Sequence, residues 1–267
     1  MPKPGRAALI LLAALALLAC ESKKKRIAEY TADDKAVAAP APPFRYAQTS
    51  ADAKVELTFP PGMDAYPELH RALFDAGKQE LLDFAAQAKE DRARFARKGV
   101  SQPQPYERRV SWTVTAVTPN LISLRSTWFD DTGGIHPNHG SDTRLWDREH
   151  FQMLLQSDLF KPDYDFTALD QTLCAAVRKA KQARLGPTDP KTWPCPKWRD
   201  SHATLVPSTR PYRIGGIMFL FDPYVIGAYA EGDYAVLIPL SDFQAALAPA
   251  WAAEFAGSPA PSVKPKP

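Results

Sequence analysis

The chain has only three cysteines in 267 residues, and none falls in a Cys-x-x-Cys or Cys/His spacing of the kind that builds a zinc site. It contains no Gly-x-Ser-x-Gly elbow and no glycine-rich phosphate loop, which removes the best-marked hydrolase and nucleotide-binding motifs. No internal repeat is visible. Charge of one sign is lacking too, with 33 Lys+Arg against 30 Asp+Glu. That balance gives no concentrated basic face and no case for nucleic-acid binding. Long hydrophobic runs are scarce. The leading apolar run, Ala7 to Ala19, would rise only about 20 Å as a helix against about 30 Å of bilayer hydrocarbon, too short for a span.

That run follows Lys3 and Arg6 and ends in small residues, the layout of an export signal. Its last three residues and the cysteine after them, Leu17-Leu18-Ala19-Cys20, resemble the lipobox of bacterial lipoproteins. The resemblance implies a signal peptide over 1–19, cleavage before Cys20 and lipid on that thiol; the competing reading is an ordinary signal peptide that contains a cysteine. Removing residues 1–19 takes away Lys3 and Arg6 and no acid, leaving 31 basic against 30 acidic residues and a mature charge of +1. The run Lys23-Lys24-Lys25-Arg26 then either lies on anionic headgroups, at about 1 kcal/mol per charge, or forms a solvated tether. Glu21 at the position after the lipidated cysteine resembles the sorting signal for the outer membrane in a two-membrane cell. The expected location is therefore the cell envelope, periplasm-facing and lipid-anchored.

With Cys20 consumed, Cys174 and Cys195 remain. A pair in an exported chain reads as one disulfide. It closes a loop of about twenty residues, worth about 3 kcal/mol by loop entropy. It would staple the proline-rich stretch Trp193-Pro194-Cys195-Pro196. Residues 20–43 read as a charged and then Pro/Ala-rich linker, and 257–267 as a disordered tail.

Between them the hydrophobic pattern predicts an α+β fold, a mostly antiparallel sheet with a long N-terminal helix, a second helix and a C-terminal helix. Val55 to Phe59 reads as a strand. Leu69, Leu73, Ala76, Leu81, Phe84, Ala88 and Phe95 then form one helical stripe, with Pro67 suited to its first turn and Gly99 to its end. From Tyr106 to Ala116 the period is two, the mark of a half-buried strand. Thr118-Pro119-Asn120 turns the chain and Leu121 to Phe129 returns it. A loop over Asp130 to Gly140 precedes another strand at Thr143 to Asp147. The second helix spans Leu169 to Leu185, with Lys179, Lys181 and Arg184 expected outward and Asp165 or Thr167 as its cap. Strands at Ala203 to Val206, Tyr212 to Phe221 and Tyr234 to Ile238 come next, and then a final helix from Ser241 or Asp242 to about Phe255.

Two stretches carry a family resemblance. One is Asp130-Asp131-Thr132-Gly133-Gly134-Ile135-His136-Pro137-Asn138; the other runs from Gly216 through Phe221-Asp222-Pro223-Tyr224 to Gly232 and on through Val236 to Phe243. Together they resemble the extracytoplasmic domain of RsiV-type, lysozyme-sensing anti-sigma factors. The first half is similar to the accessory module of PdaC-type peptidoglycan deacetylases. The resemblance implies a PdaC-type module over 44–150 and an RsiV-like module over 151–256. It also implies a stand-alone envelope binding protein whose partner is lysozyme, another envelope protein or a peptidoglycan fragment.

The candidate recognition residues are Asp130, Asp131, Gly133, Gly134, His136 and His139 in the first stretch and Tyr224, Tyr229 and Glu231 in the second. For the first, three readings stand: a self-bonded turn, an acidic loop for a basic partner, or a divalent metal site from its His and Asp side chains. For the tyrosines, edge-of-core packing competes with a role as stiff amphipathic anchors. Asp200-Ser201-His202 is contiguous in sequence and makes no triad by adjacency alone. No catalytic residue and no cofactor is expected. The alternatives to a binding module are a metal-dependent peptidoglycan hydrolase using the Asp130/His136/His139 loop, and a structural envelope lipoprotein.

Overall fold

The computed structural model describes residues 40–101, 104–187 and 193–261. The signal peptide, Cys20 and the linker up to residue 39 lie outside the described residues, as do residues 262–267 of the expected tail. Among the described residues no helix is long and apolar enough to cross a membrane.

The fold is α+β, with two sheets. Strands β1 (Arg45–Thr49), β2 (Ala53–Thr58), β3 (Tyr106–Val117), β4 (Leu121–Asp131), β5 (Asn138–Asp147) and β6 (Gln152–Leu154) form a six-stranded sheet in sequence order. Strands β7 (His202–Pro207), β8 (Ile214–Phe221) and β9 (Tyr234–Pro239) form a second, antiparallel sheet. Helix α1 (Pro67–Arg97) connects β2 to β3 and α2 (Thr167–Leu185) precedes β7. One junction departs from the expected antiparallel meander: β2 and β3 run parallel, Ala53 opposite Tyr106. A long helix between two strands permits the crossover that parallel pairing needs.

Helix α1 begins and ends as its sequence predicts, with Pro67 in the first turn and Gly99 just past the Lys98 cap. Its stripe of Leu69, Leu73, Leu81 and Ala88 packs with Val55, Leu57, Trp112, Ile122, Leu124 and Trp146 into the first core. The second core gathers α2, β7–β9 and the C-terminal turns, including Trp198, Phe219, Phe221 and Phe243. Ala116, Leu121 and Leu145 of the first sheet belong to it as well.

A bulge at Thr115 explains how one strand serves both cores. Val114 lies opposite Leu124 and Ala116 opposite Ser123, so one inserted residue moves Ala116 off the α1 face where strict alternation had placed it. Thr115 Oγ1 then donates to the Ser123 carbonyl, and Thr204 Oγ1 of β7 lies 2.9 Å from Ser123 Oγ. The expected division after residue 150 falls inside the β5–β6 hairpin, where Asp147 pairs with Gln152.

Three further expectations are corrected. The final helix is two 3₁₀ turns, Leu240–Asp242 and Gln244–Ala246, and then the short α3 (Pro249–Ala252). Pro249 supplies no N–H for a continuous helix and takes its first position instead. The tail is not free from Gly257 onward: Thr209 N–H donates to the Ser258 carbonyl and Ala260 N–H to that of Pro207. Lys181 points inward and is buried. It lies four residues beyond Val177 and eight beyond Leu173, both on the inward stripe. The Cys174–Cys195 disulfide is present, with Cα atoms 5.1 Å apart.

Candidate functional site

The two stretches singled out in the sequence meet in space. Strand β4 runs on through Asp131 and β5 starts at Asn138, so the excursion is shorter than the expected loop from 130 to 140, covering only residues 132–137. Gly133 turns it with a left-handed φ of 74°, and its N–H donates to Asp131 Oδ1 at 2.9 Å. Ile135 and His136 are carried into solvent at the tip.

Against this hairpin lies the connection between β8 and β9. Tyr229 stacks on His136, ring centroids 3.9 Å apart and planes 23° from parallel. Its hydroxyl donates to the Pro137 carbonyl at 2.7 Å, and His139 meets its ring edge-on at 5.6 Å. Tyr224 lies 5.6 Å from Tyr229 between centroids, and its hydroxyl is 3.3 Å from His136 Nε2. The hydrophobic parts stay wet: Ile135 is fully exposed, Tyr224 58 % and Val225 51 %. Tyr224 also holds a φ of +71°. That conformation is costly for a bulky residue, and such strain clusters at binding sites.

Asp222 locks the connection to the hairpin, its Oδ1 accepting the Ser141 N–H at 2.9 Å. The fit is close enough that a Cβ at Gly140 would collide with both the Asp222 carboxylate and the Trp128 ring. Burial pushes the Asp222 carboxyl up, against the Ser141 hydrogen bond that favours its charged form. Asp233 pairs with His139 Nε2 at 3.0 Å. Asp142 lies 3.7 Å from His202 Nδ1, so acids frame the aromatic patch.

Of the nine predicted residues, five build this patch: Gly133 by its turn, and His136, His139, Tyr224 and Tyr229 by contact. Gly134 sits in the same tip without contributing a contact. Asp131 serves the turn itself. Asp130, the next residue along a strand, faces the opposite side of the sheet and lies 3.4 Å from Arg108; burial pushes its carboxyl up. Glu231 is not a surface acid. Its Oε2 accepts from Lys181 Nζ and from the Tyr234 hydroxyl, both at 2.7 Å, and its Oε1 from the Ala228 N–H at 3.0 Å. Burial works against its charge, yet these donors hold its carboxyl below the usual range. The same burial and hydrogen bond push the Tyr234 hydroxyl up to about 12.

His136 and His139 do not converge on a shared carboxylate, because each is already engaged with Tyr229 or Asp233. Among the described residues no group of three or more His, Cys, Asp or Glu is placed to hold a metal ion. Ser201 Oγ donates to the Lys197 carbonyl while His202 turns to Asp142, so Ser201 and His202 do not pair with each other. Sequence reasoning missed Ile135, Val225, Asp222 and Asp233; their signal, apolar or acidic residues beside a Gly or Pro turn, was present but unspecific.

Residues 157–241 match the model of the family DUF3298, described as a protein of unknown function. The match takes in Tyr224, Tyr229 and Asp233 and leaves the 132–137 hairpin outside. A DUF3298 family protein from Pseudomonas aeruginosa shares the fold at a TM-score of 0.55 and 19 % identity, over 83 % of this chain and 98 % of its own. A second, from Bacteroides fragilis, does so at 0.56 and 16 %, over 79 % and 94 %. No curated protein matches in sequence. The chain thus holds a DUF3298-type domain at 157–241, inside an α+β fold that also describes these two structures.

Proposed function

We propose that this protein is a lipid-anchored binding module of the cell envelope, and that it engages its partner through the patch of Ile135, His136, Tyr224, Val225 and Tyr229. One observation carries the reading: two segments about ninety residues apart in sequence converge on an exposed aromatic and aliphatic surface, with acids at its rim. Aromatic anchors in such a setting contribute much of the energy of protein interfaces. Asp142 and Asp233 suit a basic partner, and charge complementarity of this kind chiefly raises the association rate. The resemblance to RsiV-type domains makes lysozyme the first partner to test, and inhibition or sequestration the consequence of binding it. Peptidoglycan fragments are the second.

The test is a pull-down and a muramidase inhibition curve with c-type lysozyme, using the mature chain. Micromolar association is expected, with Tyr224→Ala and Ile135→Asp each weakening it by about tenfold or more while thermal stability holds. Association that survives both substitutions would move the contact elsewhere. No association with lysozyme or with purified peptidoglycan would end the proposal.

A further inference from the structure

A cleft of about 380 Å³ lies between α2 and the segment that the disulfide ties to it. Cys174, Val177, Arg178, Lys181 and Gln182 of α2 form one wall, Trp193 to Pro196 the other, and Ile226 closes it. The volume is in the range of small-molecule sites, about 300–1,000 Å³. Most of the lining is apolar: the disulfide, Val177, Ile226, prolines and the Trp193 indole. Its polar groups, Arg178, Lys181 and Gln182, all come from one face of a single helix, at spacings of three and four residues.

Their charge is not balanced. Lys181 Nζ donates to the Ile226 carbonyl at 2.6 Å and to Glu231 at 2.7 Å. An ammonium carries three N–H groups, so one is left for an acceptor in the cleft. Glu231 neutralises Lys181, whereas Arg178 makes no ion pair among the described residues. Among the described residues of the cleft about one positive charge is therefore left unbalanced beside a flat indole, and Lys181 Nζ lies 5.5 Å from the centre of that indole. We propose that this cleft binds a small organic monoanion with a flat apolar body, its acid group held by Arg178 and Lys181 and its ring against Trp193. A carboxylate or sulfonate presents the two oxygens that a guanidinium fork and an ammonium can share. Ile226 is the chain neighbour of Val225, yet the proposal does not depend on the binding role argued for the aromatic patch.

The test is isothermal titration of the mature, oxidised protein with 2-naphthoate, with 2-naphthalenemethanol and 2-naphthylmethylammonium as neutral and cationic counterparts. One-to-one saturation with a Kd below about 1 mM is expected, and at least about tenfold weaker binding of either counterpart. Arg178→Gln weakens 2-naphthoate by about tenfold, Arg178→Lys restores part of the loss, and Trp193→Ala weakens it further. Lys89→Ala, at an exposed position on α1, leaves the affinity unchanged. No saturation by about 5 mM, equal binding of the alcohol, or an Arg178→Gln protein of unaltered affinity would each overturn the proposal.

Discussion

Around α1 the buried residues are, apart from His70, those that a periodic pattern selects: Leu69, Leu73, Leu81 and Ala88 from the helix, Val55 and Leu57 from a strand. Around β8 the pattern is broken by partnered exceptions. A lysine and a glutamate sit inside, held by Ile226, Tyr234 and Ala228, and a disulfide fixes the loop beside them. The first core arises from hydrophobicity repeated at the right interval. The second needs each exception to find its own partner, so a single lost partner should harm it more than the same change on a surface.

The sharpest way to break this contrast is Lys181→Met. It leaves the Glu231 carboxylate, with 13 % of its side chain exposed, without its cation, and a loss of about 3–5 kcal/mol is expected in urea unfolding. The double change Lys181→Met with Glu231→Leu should recover much of that loss. If the single change costs under about 1 kcal/mol, the range typical of exposed pairs, the ion pair does not hold the second core.

Next in size is the staple. Cys174→Ser with Cys195→Ser should lower stability by about 3 kcal/mol. Amide hydrogen exchange should show protection lost first in β7–β9 and α2, with α1 exchanging only at global unfolding. Equal loss in both cores would mean that they open as one.

The smallest effect tests the joint between the hairpin and the β8–β9 connection. Because burial raises the Asp222 carboxyl above its unfolded value, the stability it contributes is complete below the unfolded pKa and falls away as pH rises through the folded one. Asp222→Asn can still accept the Ser141 N–H through its amide oxygen. It should therefore raise the melting temperature slightly at pH 7, with the gain shrinking as pH falls toward 4. A fall at pH 7 would show that the negative charge itself holds the joint. His70 supplies a contrast of opposite sign. Buried between Phe44 and Phe59, its imidazole is held below the usual histidine range by burial, so its contribution is lost on acidification through that lowered pKa.

The legible parts of the fold were those where one interval persists. The 31 residues of α1 and the alternation of β3 identify themselves. The inserted Thr115 does not, because a bulge leaves the composition of a strand unchanged while switching every later side chain to the other face. Lys181 shows a different failure: its position on the inward stripe was readable, but a lysine is read as outward unless its distant carboxylate is known. For the candidate site, both segments stood out by their turn residues, and glycine and proline mark turns for reasons local to the backbone. Their meeting was invisible, since it depends on how the β8–β9 connection is placed against the start of β5. Asp130 and Glu231 were misplaced for the same reason, each being claimed by a cation far away in sequence.

The family match spans 157–241, yet the hydrophobic interior it belongs to does not end there. Ala116, Leu121 and Leu145 lie upstream, and Phe243, Ala246, Leu247 and Phe255 downstream. A fragment cut at those limits would lose these seven residues from its interior, with greasy faces open to water where β3–β5 and the C-terminal turns had covered them. For anyone expressing the domain alone, the workable boundaries are set by the shared sheet and not by the stretch that sequence comparison recognises.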